Sequence, residues 1–308
     1  MPSHEPLVWI TFIVVVGTLL LIDLGVLNRR SHVLTPREAL RWSGGIVLIA
    51  LLFGAFLWWR SGQNTALEYY AGYLVELALS VDNLFVFLLV FQYFAVPAIL
   101  QPRVLKWGIF GAIIMRGIMI GLGAVLLQQF EWITWVFGGI LIVTALRMAR
   151  GGEERVEPEK NPLVRLARRF MPVTPAYCDQ HFFVRSLTQG WMATPLLLVL
   201  LVVEWSDVVF AVDSIPAVFA VTRDPFVVYA SNLFAILGLR ALFFVLAGAL
   251  DRFHYLKPGV ALILLFVGGK MLLGHWVHLP TVISLGVILV ILAGSVGLSL
   301  ARPRHDDP

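Results

Sequence analysis

Two short stretches of this 308-residue chain hold residue types able to do chemistry. Glu76 to Phe87 reads ELALSVDNLFVF, and Asp207 to Phe219 reads DVVFAVDSIPAVF. Each carries an acid, five residues, an aspartate and then a small polar side chain, which pairs Glu76 with Asp207, Asp82 with Asp213 and Asn83 with Ser214. Glu204 lies three residues before Asp207, and at that spacing the two share one face of a helix. Carboxylate, amide, hydroxyl and backbone carbonyl are hard oxygen donors suited to magnesium, calcium or manganese, whereas zinc and copper recruit histidine or cysteine. No histidine stands at the middle of an apolar run, and His254, His275 and His278 read as interface residues. Cys178 is the chain's single cysteine, which leaves neither a disulfide nor a thiolate cage.

Both stretches sit inside apolar sequence, where ionised side chains are costly and usually mark ion or substrate pathways. The acids within such runs are Glu76, Asp82, Glu204, Asp207 and Asp213, and the bases are Arg116, Arg240 and Lys270, a surplus of two negative charges. Uncompensated acids in hydrocarbon either take up protons or hold a cation. The competing structural reading makes them buried Asp–Arg pairs that set helix register, with Arg116, Arg240 and Lys270 as counter-ions. Residues six apart on a straight helix point about 120 degrees away from each other. Glu76 and Asp82 therefore serve two stages of a path, or the backbone opens between them. In the second stretch Pro216 removes an amide donor near Asp213 and predicts a local break that frees carbonyls.

The elements that must position these groups follow from composition. The chain is 59% hydrophobic and only 14% charged, with 10 Trp and 21 Phe, more apolar than one soluble core can hide. A helix needs roughly 20 apolar residues to cross about 30 Å of hydrocarbon. Nine runs qualify: 7–27, 43–59, 67–94, 104–128, 132–150, 191–221, 226–250, 256–275 and 281–300. They are continuous rather than alternating, which excludes a barrel. The expected class is an all-α, polytopic membrane protein.

Eighteen Lys and Arg fall in one alternate set of connections and two, Arg60 and Arg223, in the other, which predicts an external N-terminus and a cytosolic C-terminus. The net charge of +4 is thus a topogenic feature and not a nucleic-acid footprint; the connection from Gly151 to Gly190 also carries Glu153, Glu154, Glu157 and Glu159 and no reader motif. A short surface helix is expected there near 163–170. Met1 to Pro6 has no Lys or Arg, so the first run reads as a retained span and not as a cleaved leader.

The repeat extends beyond the acidic stretches. Arg116 in FGAIIMRG and Arg240 in FAILGLRA each follow a phenylalanine by six residues, and the next run in each half holds a glycine pair, Gly138–Gly139 and Gly268–Gly269. Three spans per copy is odd, so the halves lie inverted, an arrangement that places sites at their interface near the midplane. The expected organisation is two N-terminal spans over 1–66, a first three-helix repeat over 67–150, a cytosolic loop over 151–190, a second repeat over 191–277, and a last span with its tail over 278–308.

The stretches EYYAGYLVELALSVDNLFVFLLVF, VEWSDVVFAVDSIPAVFAVT, SNLFAILGLRALFF and VGGKMLL closely resemble the TerC family of integral membrane proteins, from about Leu67 to His275. The resemblance implies a bacterial inner-membrane protein related to the lysine exporter group, whose role is manganese export. Its acidic motif maps onto Glu76, Asp82, Asn83, Glu204, Asp207 and Asp213. Other members are linked to membrane-protein assembly or partner binding.

Three classes of function stay open on these grounds. One is a secondary transporter exporting a divalent metal, manganese foremost, in exchange for protons, since no nucleotide-binding motif supplies energy; it holds no permanent cofactor. A second is an intramembrane aspartyl enzyme, disfavoured because Asp82 and Asp213 follow Ser80–Val81 and Ala211–Val212 rather than a glycine frame. The third is an assembly or scaffold protein with the same fold and no transport.

Overall fold

The computed structural model describes residues 5–25, 36–150, 161–186, 190–246, 255–274 and 279–301; the side chains of Asp82 and Arg240 lie outside the described residues, as do His254, His275 and His278. The described chain is helical almost throughout: α1 (Pro6–Gly25), α2 (Pro36–Ser61), α3 (Gln63–Tyr93), α4 (Gln101–Gln129), α5 (Ile133–Ala149), α6 (Pro162–Phe170), then a hairpin of β1 (Phe183–Ser186) and β2 (Gly190–Ala193), then α7 (Pro195–Phe219), α8 (Pro225–Leu246), α9 (Leu256–Leu273) and α10 (Thr281–Ala301). Among the described residues six helices (α2, α4, α7, α8, α9 and α10) are long and apolar enough to cross a membrane; the apolar parts of α1 and α5 are shorter. At 31 residues α3 is about 46 Å long and runs through the charged motif.

Local sequence sets the helix ends. Gly62 takes φ +92° between α2 and α3, a left-handed turn that residues with a Cβ rarely adopt. After α3 the chain turns at Ala95, φ +46°, and the Val96 amide donates to the Phe91 carbonyl at 2.9 Å, which closes the last turn. Pro162 and Pro195 open α6 and α7, where the missing amide hydrogen has no helical partner to lose. Asn161 caps α6 by accepting from the amides of Leu163 and Val164 at 2.9 and 3.3 Å.

Helix packing is reciprocal. α3 lies on α8 and α4 on α7, while α5 crosses α9 and α3 also meets α7. Of the residues in the most apolar stretch of α8, 88% are buried, against 17% in α10, so α8 is central and α10 peripheral. At the α5–α9 crossing a Cβ on Gly138 would lie 2.7 Å from Leu272, and one on Gly268 would lie 2.9 Å from Leu141 and 3.1 Å from the Gly138 carbonyl. Only glycine permits that approach, which is the close-packing role of small residues between membrane helices. Gly139 and Gly269 meet nothing within 4 Å. An aromatic cluster of Phe12, Phe53, Tyr69, Phe226 and Phe234 packs α1 and α2 on the ends of α3 and α8.

Two expectations are corrected. Pro216 does not break the helix: α7 is continuous from Pro195 to Phe219, as α3 is across Glu76 and Asp82. The proline sits in the last turn, where it forfeits a single ladder bond, and the Ala220 amide still reaches the Pro216 carbonyl at 3.0 Å. Residues 191–193, read as the start of the sixth span, form strand β2, whose register sets Phe183 opposite Ala193 and Ser186 opposite Gly190. Thr194 anchors the hairpin by donating to the His181 carbonyl at 2.7 Å. The expected surface helix is present as α6.

Candidate functional site

On α3, Glu76, Ser80 and Asn83 recur at helical spacing, so they form one polar stripe; all are buried. On α7, Asp207 and Ser214 stand seven apart and likewise share a face, both buried. α4 brings Arg116 between the two stripes, and α8 adds Asn232.

Arg116, 1% exposed, is the hub. Its Nη1 donates to Glu76 Oε1, to Asn232 Oδ1 at 3.1 Å and, at the edge of bonding distance, to Ser214 Oγ at 3.4 Å. Its Nε and Nη2 form a fork on Asp207, 3.1 Å to Oδ2 and 2.9 Å to Oδ1. A guanidinium is permanently charged and its planar fork matches a carboxylate, which is why arginine serves such a buried pair better than lysine. Two acids around one base leave the hub one negative charge in surplus. Among the described residues Glu76 Oε2, Asn232 Nδ2 and Ser80 Oγ are buried and accept or donate no hydrogen bond. Buried polar atoms without partners are uncommon and costly in folded proteins. Asp207 also lines a cavity of about 20 Å³, room for roughly one water-sized group, whose remaining wall is apolar: Phe87, Leu105, Ile109, Val203 and Ile236 among others.

The remaining acids are spread out. Glu204 is half-buried on α7, and its carboxylate lies over Gly111 of α4, filling the space a Cβ would take. Asp213, also half-buried, accepts a hydrogen bond from Thr144 Oγ1 of α5 at 2.9 Å. Lys270 of α9 is within electrostatic reach of Glu68 of α3, whose Oε2 accepts from Thr222 Oγ1 at 2.5 Å. The structure therefore joins Glu76 and Asp207 through Arg116, with Ser214 on the same guanidinium; Glu204 makes no hydrogen bond to that hub among the described residues but lies within electrostatic reach of Asp207, and Asp213 and Lys270 are set apart from it. Asn83 is buried two turns along α3 from Glu76; the side chains of Asp82 and Arg240 lie outside the described residues. Among the described residues no three of His, Cys, Asp or Glu are grouped as a metal would need.

Asn232, Thr144 and Glu68 escaped the reading of the sequence. Asn232 had a signal, an amide in the interior of the apolar α8. The repeat obscured it, because the matching position two residues before Phe110 is Gly108. Thr144 looks like an ordinary β-branched residue of an apolar helix, and only the α5–α7 contact reveals its role.

The model of the integral membrane protein TerC family matches residues 61–307. The chain is 50% identical over 312 residues to a protein of Escherichia coli (strain K12) named "Putative membrane-bound redox modulator Alx", covering 98% of this chain and 97% of that one. It is 48% identical over 301 residues to "Uncharacterized membrane protein STKORF319" of Myxococcus xanthus, covering 98% and 94%, and 38% identical over 299 residues to an uncharacterized membrane protein of Rickettsia bellii, covering 97% and 99%. No solved structure matches the chain. Motifs, helical membrane architecture and near full-length similarity agree: the chain belongs to the TerC family of integral membrane proteins.

Proposed function

We propose that the chain is a secondary transporter of the bacterial inner membrane that exports a divalent metal, manganese foremost, with protons as the exchanged ion. The observation that carries this reading is the hub: Glu76 and Asp207, corresponding acids of the two acidic stretches, meet inside the helix bundle with a surplus negative charge and an unpartnered carboxylate oxygen. A charge surplus away from water attracts a cation, and oxygen donors of this kind favour a hard one. Asp82, Asp213 and Glu204 are assigned to the approach and exit of the ion. Unbroken helices favour two stages over one shared ligand set.

The same reading takes the apolar helices as nine spans, α3–α5 and α7–α9 as inverted copies, and the ends as external N-terminus and cytosolic C-terminus. The reciprocal packing of α3 on α8 and α4 on α7, with Gly138 facing Gly268 near the would-be axis, supports the repeat. A reporter fused after Pro308 is expected to behave as cytosolic and one before Pro6 as external. Relatives carry a name that points to redox modulation. With one cysteine this chain cannot form an internal dithiol–disulfide couple, so a redox effect would be exerted through the metal it moves.

The test is flux through the purified protein in sealed vesicles with manganese, magnesium, calcium and zinc in turn. Manganese is expected to move fastest, and more slowly when the proton gradient is collapsed. Intact protein that moves none of the four overturns transport in favour of assembly or scaffolding.

A further inference from the structure

The transport reading leaves a physical problem that Arg116 answers. Two acids facing each other away from water need either protons on them or a cation between them to be stable, and an exporter spends part of every cycle without its metal. We propose that Arg116 is a tethered stand-in for the transported ion, whose guanidinium occupies the acid pair whenever the metal is absent and must be displaced for the metal to bind. This inference rests on the transport reading and assigns one residue's part in it.

Four observations carry the inference. Arg116 bonds to both acids at once, one from each acidic stretch, so it lies where a cation shared by the two would lie. It cannot lose its proton, so the place is filled at any working pH. It does not exhaust the ligand oxygens: among the described residues Glu76 Oε2 and Ser80 Oγ have no hydrogen-bond partner within bonding geometry, and a small ion could engage Glu76 through the oxygen that the guanidinium leaves. Asp207 is the charged wall of a cavity of about 20 Å³, so the arginine fork can be approached from its Asp207 side. Charge decides the competition. With Arg116 in place the two acids keep one surplus negative charge; a divalent ion in its place neutralises the pair, and the displaced guanidinium then carries one positive charge that its remaining acceptors must hold. A monovalent ion in place of the guanidinium brings no such gain, so the device also favours divalent cargo. Ser214 Oγ and Asn232 Oδ1 are the acceptors that can keep part of the guanidinium satisfied as it turns from the carboxylates.

The consequence is kinetic. Net export needs the metal-free carrier to return, its exchanged protons on acids other than the pair that Arg116 fills; one-for-one exchange of manganese across the membrane never passes through the metal-free form. Arg116→Gln in vesicles is expected to lower net manganese efflux at least tenfold and labelled-manganese exchange by a clearly smaller factor. Manganese binding to the detergent-purified variant should tighten, because its internal competitor is gone. Arg116→Lys keeps the charge without the fork, and is expected to restore part of net efflux and to bind manganese more tightly than the wild type. Should Arg116→Gln not be recoverable as folded protein, the lysine variant decides the matter through the same two measurements. Loss of exchange in parallel with net efflux, or manganese affinity unchanged or weaker in the recovered variant, overturns the inference and leaves Arg116 a structural counter-ion. A wild-type protein that carries out neither net efflux nor exchange overturns the transport reading itself.

Discussion

The two acidic stretches match in sequence and differ in surroundings. Asp207 engages both oxygens with the Arg116 fork and borders a cavity, whereas Glu76 is fully enclosed and uses one oxygen, the other having no hydrogen-bond partner among the described residues. Seven residues on, Ser214 reaches the same arginine, while no bond from Asn83 to it is seen among the described residues. The second stretch thus holds Arg116 through two carboxylate oxygens and the first through one. On the proposed transport reading, unequal halves around one arginine would give the site a side from which it fills.

The largest expected effect breaks that comparison at its outer members. Asp82→Asn and Asp213→Asn should each insert and fold, and each lose manganese efflux by at least tenfold, because a unit charge away from water is worth several kcal/mol to a divalent ion. If only one matters, the copies have divided the work unequally. Wild-type efflux from a stable Asp82→Asn protein would remove the first stretch from the path.

Next come the acids on Arg116. Asp207→Asn removes the negative charge and one of the two acceptors of the fork, and is expected to destabilise by about 3 to 5 kcal/mol, as for other broken buried pairs. Glu76→Gln should cost less, because it also relieves a buried charge with an orphaned oxygen. Thermal unfolding of both in one detergent checks the order, and a reversed order would mean that Glu76 is the main partner of Arg116.

The glycine pairs sharpen the comparison further. Gly138→Ala and Gly268→Ala force a Cβ against Leu272 or Leu141 and should each cost roughly 1 to 3 kcal/mol, read as lowered yield and melting temperature. Gly139→Ala and Gly269→Ala meet open space and should be neutral or slightly stabilising. Normal folding of Gly268→Ala with altered metal preference would instead place that glycine in the pathway.

The smallest effect concerns Asp213. Thr144→Val removes its one hydrogen bond seen among the described residues and should cost about 1 kcal/mol with efflux slowed only a few-fold. Loss of efflux as deep as in Asp213→Asn would show that Thr144 aims the carboxylate.

Apolar run length and the acid-to-polar spacing settled much of this protein in advance. A residue's distance along its own helix is a local property, so the helical character of the chain and the surface helix α6 could be read from order alone. The resemblance carried by the acidic stretches likewise led to the family. Partnership is a different matter, because it depends on which helices cross and at what height. The sequence allowed Arg116 to pair with an aspartate of either copy. The bundle instead sets α4 between α3 and α7, and so gives Arg116 to Glu76 and Asp207 together. Asp213 turns to Thr144 because six residues along a straight helix rotate it away from the face that holds Asp207. Pro216 suggested an opened helix, yet its place in the final turn leaves α7 unbroken. Asn232 entered the site only because α8 runs through the centre of the bundle, where a buried amide must find a partner.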